Sequence, residues 1–138
     1  MDLDFLKDRM KMFERMINTA DYNLANELIS DDASFYTPAS EKPLYGGQGY
    51  LSVVEFMRSG FSDVQWSLED MVAEGNKVAV HWALRGTHDG KFLGVEPTGK
   101  VIRASVMNFY YFDDNGKIIN DVAAEGMIAI LRPLGLCP

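Results

Sequence analysis

Three polar side chains that stand among apolar neighbours are the best candidates for acid–base chemistry in this sequence. Glu125 lies in the otherwise apolar run 124–128, and burial of a carboxyl group raises its pKa towards neutral pH, which suits it to proton transfer. Asn108 lies among Val, Met, Phe and Tyr residues, and its amide could donate to a carbonyl or enolate oxygen. His81 lies in the middle of an alternating segment. Together they predict a site that moves protons.

Each of these residues also has a structural interpretation. Glu125 could point to solvent or pair with Arg85 or Arg103. His81 could face either a pocket or an oligomer surface, or be an ordinary structural histidine. Asn108 could be a hydrogen-bonded amide of the core. The pattern alone leaves these alternatives open, because a shift of one residue in a strand reverses the face of every side chain.

Five further residues are candidate ligand contacts. Tyr36, Trp66 and Tyr110 could line an aromatic pocket, although aromatic residues of a sheet are commonly core residues. Arg103 is a candidate on the strand predicted over Val101–Phe112, where it shares a face with Ser105 and Met107. His88 stands in a loop with four glycines, where loop geometry is the competing explanation.

Composition narrows the class of protein. The chain has 138 residues, a net charge of −7 and 47% apolar residues, which predicts one folded domain over residues 1–138. Scattered basic residues argue against nucleic-acid binding, and no apolar stretch is long enough to predict a membrane span. The lone Cys137 and the absence of a signal-like N-terminus favour a cytoplasmic protein. No histidine spacing predicts a metal site.

Hydrophobic periodicity predicts helices first and antiparallel strands afterwards, the order of an α+β fold. Helices are predicted over Leu3–Asn18, Tyr22–Ile29 and Tyr50–Met57, a short strand over Ala33–Thr37, and a loop over Ala39–Gly49. Four longer strands are predicted over Val64–Met71, Val78–Arg85, Val101–Phe112 and Lys117–Leu131. A curled sheet of this kind can wrap around helices, and its inner face would then line a ligand cavity.

A family resemblance rests on the block from Arg85 to Lys100, RGTHDGKFLGVEPTGK. It resembles the signature loop of SnoaL-like polyketide cyclases. The resemblance extends from about Phe13 to Gly135. It includes the segments Phe61–Val64, Val72–Ala79, Gly116–Ile118 and Leu131–Gly135.

The resemblance implies a cone-shaped α+β barrel of the nuclear-transport-factor-two-like type, a homodimer or higher homo-oligomer, and no cofactor or metal. Enzymes of this family close a ring of an aromatic polyketide by intramolecular aldol condensation, with a carboxylate near the last strand as general acid/base. Here the matching acidic positions hold Ala123 and Gly126. Glu125 could replace the missing acid, because residues two apart share one face of a strand.

Three functions follow as hypotheses. The first is a cofactor-independent cyclase, isomerase or lyase acting on a small hydrophobic carbonyl compound, with Glu125 as acid/base and Asn108 or His81 polarising the carbonyl. The second is a non-catalytic binder of such a molecule, which the replacements at Ala123 and Gly126 favour. The third is a structural dimerising domain.

Overall fold

The helices precede a four-stranded antiparallel sheet, as the computed structural model of the chain shows. The structure describes residues 2–36, 41–124 and 128–136. The helices before the sheet are α1 (Leu3–Thr19), α2 (Tyr22–Leu28) and α3 (Gly46–Gly60), and two short strands, β1 (Ser34–Phe35) and β2 (Leu44–Tyr45), pair between α2 and α3. The sheet contains β3 (Gln65–Glu74), β4 (Lys77–Thr87), β5 (Val101–Phe112) and β6 (Ile118–Ala123), and α4 (Ile128–Leu131) and a 3₁₀ turn (Arg132–Leu134) follow it.

The first two helices begin where their capping residues predict. The Asp2 carboxylate accepts from the amide of Asp4, and the Asp21 carboxylate accepts from the amide of Leu24, so each satisfies an amide that the helix itself leaves free. The apolar stripe of α1 is buried at three- and four-residue steps: Leu6, Met10, Phe13, Met16 and Ile17. Helix α1 therefore forms the centre around which the sheet packs.

Helix α3 begins four residues earlier than the sequence predicts. Gly46 starts it, although glycine is a weak helix former. The reason is packing: a Cβ on Gly47 would lie 2.6 Å from the backbone carbon of Ala25 in α2. Gly47, which falls in the predicted loop, is therefore required for the close approach of α3 to α2.

The sheet is a meander in the order β3-β4-β5-β6, and all its pairs are antiparallel. Gly75 and Gly116 have positive φ angles in the two tight turns, as the Asn-Gly and Gly-Asn turns predict. The last strand ends at Ala123, so the prediction of a strand continuing to Leu131 was wrong. Residues Ile128–Leu131 form a helix instead, and two of them are buried against the sheet.

The sheet has an inner face, which packs on the helices, and an outer face. Side chains alternate between the two. The inner face carries the buried residues Val78, Val80, Trp82, Leu84, Ile102 and Tyr110. The outer face carries Val72, Ala79, His81, Arg85, Arg103, Met107, Phe109 and Val122.

The predicted α+β class is confirmed, and the sheet is an open cone rather than a closed barrel. Strands β3 and β6 are its two edges in the part of the chain that the structure describes. Among these same residues, no helix is both long and apolar enough to span a bilayer.

Candidate functional site

An acidic side chain lies on the inner face, on strand β6. Asp121 is directly across from Tyr110 of β5, and the neighbouring Ala123 is across from Asn108. The Asn108 amide nitrogen Nδ2 donates to Asp121 Oδ1 at 2.7 Å. This diagonal contact fixes one carboxylate oxygen and leaves Oδ2 with no protein hydrogen bond among the described residues.

The surroundings of Asp121 favour the protonated carboxyl. Burial against the apolar inner face raises its pKa to about 6, and the hydrogen bond from Asn108 opposes part of that rise. No ion pair to Asp121 is formed within the described residues. A carboxyl group that loses its proton near pH 6 can serve as a base at neutral pH and return the proton within the same reaction.

An aromatic wall surrounds this carboxylate. Phe13 of α1 stands between three other rings, with centroid distances of 5.1 Å to Tyr50, 6.1 Å to Trp82 and 5.2 Å to Tyr110. The Trp82 indole Nε1 donates to the Tyr110 hydroxyl oxygen at 2.9 Å. The wall is therefore rigid and has a low polarity, which strengthens electrostatic interactions at the carboxylate.

The inner face stays accessible near Asp121. Asp121, Asn108 and Tyr50 are half-buried, whereas Trp82 and Tyr110 are each only 1% exposed. A small molecule can therefore meet the polar groups at this rim without displacing the core. The rim offers one basic carboxylate, one positioning amide and one phenol.

Of the residues proposed from the sequence, Asn108 and Tyr110 lie at this rim or in its wall. Trp66 is half-buried on the inner face, between the two parts of the core, and its backbone amide and carbonyl both bond the Asn18 side chain. Glu125 lies outside the residues that the structure describes.

Two other candidates lie on the outer face. His81 alternates with the buried Val80 and Trp82, and its Nε2 bonds the Ser105 hydroxyl at 2.9 Å. The sheet therefore separates His81 from Asn108, and the two cannot act on one substrate group. Arg103 lies on the same outer face, directly opposite Arg85.

His88 and Tyr36 are also away from Asp121. The His88 ring is fully buried, and its Nδ1 accepts from the Thr98 amide at 3.2 Å while its backbone bonds Lys100. Seven residues of strand, about 23 Å, separate the pair Val80–Asn108 from the end of β4 beside His88. Loop geometry accounts for these contacts. Tyr36 is 65% exposed.

The sequence pattern does not identify Asp121 or Tyr50 as candidate site residues. A signal for Asp121 was present, because it shares a strand face with Ala123, one of the positions where the resemblance expects an acid. Tyr50 gave no signal beyond its place in a helix, since only the packing of α3 against Phe13 brings it to the sheet.

Two clefts lined by described residues lie on the outer face of the sheet. One of about 520 Å³ lies beside Val72, His81, Met107 and Phe109, and another of about 620 Å³ lies beside Gln65, Arg85 and Arg103. Across residues 2–36, 41–124 and 128–136, no three His, Cys, Asp or Glu side chains are grouped as metal ligands would be.

Residues 7–134 match the sequence model of the family described as SnoaL-like polyketide cyclase. The chain belongs to this family. No curated protein gives a significant match to this SnoaL-like chain. The resemblance seen in the sequence is confirmed, and it covers nearly all of the SnoaL-like fold described above.

Solved structures agree. TsrD from Streptomyces laurentii superposes with a TM-score of 0.83 at 20% identity, covering 99% of both chains. IdmH from Streptomyces antibioticus, named as a proposed polyketide cyclase, superposes with a TM-score of 0.78 at 28% identity. The match covers 94% of this chain and 98% of IdmH. AclR from Streptomyces galilaeus, named as a proposed hydroxylase, superposes with a TM-score of 0.79 at 23% identity. The match covers 99% of this chain and 89% of AclR. Such different names on one SnoaL-like fold mean that the reaction must be argued from the site.

Proposed function

We propose that this protein is a cofactor-independent enzyme of the polyketide cyclase type, which removes a proton next to the carbonyl of a small hydrophobic compound. The observation that carries the proposal is Asp121: a carboxylate on the apolar inner face, held by Asn108 and with a pKa of about 6. The likeness to IdmH supports a cyclase among the possible reactions.

The chemistry needs few groups. Asp121 takes a proton from the carbon beside the carbonyl, the C–H electron pair forms the C=C bond of an enolate, and the carbonyl π pair moves to oxygen. In a cyclisation the enolate carbon attacks a second carbonyl of the same molecule, and the proton on Asp121 passes to the new alkoxide. In an isomerisation the proton returns to another carbon. Asn108 keeps Asp121 oriented throughout by its hydrogen bond to Oδ1.

Asp121 also bears on the hypothesis of a non-catalytic binder. That hypothesis rests on Ala123 and Gly126, which stand where the resemblance expects acids. Asp121 shares the inner face with Ala123 and supplies a carboxylate two residues earlier. This favours the enzyme, and the binder becomes one outcome of the experiment below.

The experiment follows proton exchange on 2-tetralone, a flat bicyclic ketone, in D₂O by ¹H NMR. We expect the protein to accelerate loss of the α-proton signal over buffer. Asp121→Asn should lower the rate constant by about 10³-fold, since a positioned general base contributes about 10² to 10⁴-fold. Asp114→Asn, at an exposed position in the turn before β6, is the matched control and should exchange at the parent rate.

The result that contradicts the proposal is equal exchange by the parent and by Asp121→Asn. Saturable binding of 2-tetralone with no acceleration over buffer would instead support the binder. Circular dichroism of each variant checks that the fold is kept.

We also propose that the protein forms a homodimer through the outer face. Val72, Met107, Phe109 and Val122 are 47–66% exposed there, and single exposed apolar residues are common but a contiguous group is not. Four strands about 4.8 Å apart and ten residues long span roughly 600 Å², near the ~800 Å² per partner of a stable interface.

The charged residues of the outer face support a second copy of this chain as the partner that covers it. Arg85 and Arg103 face each other on the outer face with no acidic partner among the described residues, while Asp70 is exposed on the same face. A two-fold copy can bring arginines of one chain to acids of the other.

Location in the cytoplasm stays a proposal from the sequence.

Analytical ultracentrifugation tests the dimer. Phe109→Glu should give a monomer at concentrations where the parent is dimeric. Tyr22→Glu, at an equally exposed aromatic on α2, should stay dimeric. A monomeric parent at 100 μM would contradict the proposal.

A further inference from the structure

The Tyr50 side chain is half-buried at the rim of the inner face. Helix α3 brings its ring there, where it packs at 5.1 Å from Phe13 and edge-on at 5.0 Å from Phe35. These contacts hold the ring in place. Within the described residues the hydroxyl forms no hydrogen bond, and it is not among the polar atoms that are sealed from water. The hydroxyl is therefore in contact with solvent at this rim.

Tyr110 offers a useful contrast. Its hydroxyl oxygen accepts from Trp82, and the residue is only 1% exposed, so its role is to hold the aromatic wall. Tyr50 packs on the same Phe13 ring, but it is half-buried and its hydroxyl has no hydrogen-bond partner among the described residues. A phenol that no described protein group engages can donate to a bound molecule.

The electrostatics relate Tyr50 to Asp121. Burial raises the pKa of Tyr50 well above its ordinary value, and the negative charge of Asp121 raises it further. The phenol is therefore a neutral donor at neutral pH. Phe13, on which the Tyr50 ring packs, also packs at 5.2 Å on Tyr110, and Tyr110 lies directly across from Asp121, so the phenol and the carboxylate are on the same side of the sheet. When Asp121 accepts a proton its charge disappears, and the Tyr50 hydroxyl can then stabilise a negative charge that forms beside it.

We propose that the Tyr50 hydroxyl donates a hydrogen bond to the substrate oxygen that becomes negative when Asp121 removes the α-proton. This rests on the function proposed above and adds a second residue to the same site: the enolate oxygen reaches Tyr50 while the acidic carbon reaches Asp121. No proton leaves Tyr50; the hydrogen bond only strengthens as the carbonyl π pair moves to oxygen.

Two readouts test this proposal. In the 2-tetralone assay, Tyr50→Phe should lower kcat by about 10²-fold with little change in KM, as is typical when one donor to a developing oxyanion is removed. Tyr45→Phe, at a 59% exposed tyrosine one turn earlier, is the control and should match the parent.

The second readout is binding of 2-naphthol, an enolate mimic, followed by its fluorescence. Tyr50→Phe should weaken binding at least tenfold. Asp121→Asn should bind 2-naphthol as tightly as the parent or more tightly, because a neutral side chain at 121 resembles the enzyme after proton removal.

The outcomes separate the two proposals. If Asp121→Asn loses exchange while Tyr50→Phe keeps both exchange and 2-naphthol binding within twofold of the parent, Tyr50 is not the donor and the proposed function stands. If Asp121→Asn exchanges at the parent rate, the proposed function fails and takes this inference with it.

Discussion

The two faces of the sheet use the same four strands for opposite purposes. The inner face has Val78, Trp82 and Tyr110 nearly fully buried, and it carries the acid Asp121. The outer face has exposed Met107 and Phe109 and two facing arginines. Neighbouring residues such as His81 and Trp82 therefore belong to different environments, because successive side chains of a strand point to opposite sides.

The difference shows how the fold keeps an acid reactive. An arginine beside Asp121 would lower the pKa of its carboxyl. Instead the positive charges Arg85 and Arg103 lie on the outer face, and the group that contacts Asp121 is the neutral Asn108 amide. Separation of charge across the sheet therefore leaves Asp121 with a pKa of about 6.

The largest expected difference in stability between the faces is at Trp82. Trp82→Ala removes a fully buried ring together with its hydrogen bond to Tyr110, and it should lower the free energy of unfolding by about 3–5 kcal/mol. Val122→Ala, on the outer face, should change it by less than about 0.5 kcal/mol in a monomeric background. Urea unfolding of both variants in the Phe109→Glu background measures this, and equal losses would remove the distinction between the faces.

The two faces should also differ in how their residues affect 2-tetralone exchange. Asn108→Leu removes the donor to Asp121 Oδ1 and should lower 2-tetralone exchange by about 10 to 100-fold. It should also move the pH dependence upwards, because that hydrogen bond lowers the pKa of Asp121. His81→Leu should leave the rate within twofold. A larger loss from His81→Leu than from Asn108→Leu would reverse our assignment of the faces.

The third prediction concerns the effect of Asp121 on stability. A carboxyl whose folded pKa is raised to about 6, against about 3.9 unfolded, destabilises the fold once it is ionised. The penalty is absent below about pH 3, grows between the two pKa values and is complete above about pH 7. Asp121→Asn should therefore raise the free energy of unfolding by about 1–2 kcal/mol at pH 7.5 and change it little at pH 4. A loss of stability at pH 7.5 would show that the carboxylate is a structural group.

An effect of the same size is expected at the Trp82–Tyr110 hydrogen bond. Tyr110→Phe leaves the Trp82 indole N–H without its acceptor, which should cost about 1–2 kcal/mol. Tyr111→Phe, at the next position on the opposite face, is the control and should cost less than about 0.5 kcal/mol. Thermal unfolding compares the two, and equal costs would mean that the inner hydrogen bond contributes nothing.

Much of the fold could be predicted from local chemistry. Asp21 marks the start of α2, and the glycines at 75 and 116 mark the two hairpin turns. The local sequence did not predict the bounds of an element where packing against a distant part of the chain determines them. Gly47 is required in α3 because it lies against the Ala25 backbone of α2. The predicted last strand fails at Ile128–Leu131, which form a helix with Ala129 and Ile130 buried.

The site was only half predictable for the same reason. The apolar neighbours of Asn108 in the sequence indicated a candidate site residue. The structure places Asn108 on the inner face, where its amide contacts Asp121. Asp121 depends on register: an irregularity at Tyr111–Phe112 sets which residue of β6 lies opposite Tyr110. Tyr50 depends on how α3 packs on α1, which no local pattern encodes.

The pH dependence of 2-tetralone exchange tests the central claim most directly. If Asp121 is the base, the rate constant rises with pH, has its midpoint near 6 and is constant above pH 7, and this inflection disappears in Asp121→Asn. A rate with no inflection between pH 5 and 7, or one that Asp121→Asn leaves in place, would show that another group moves the proton.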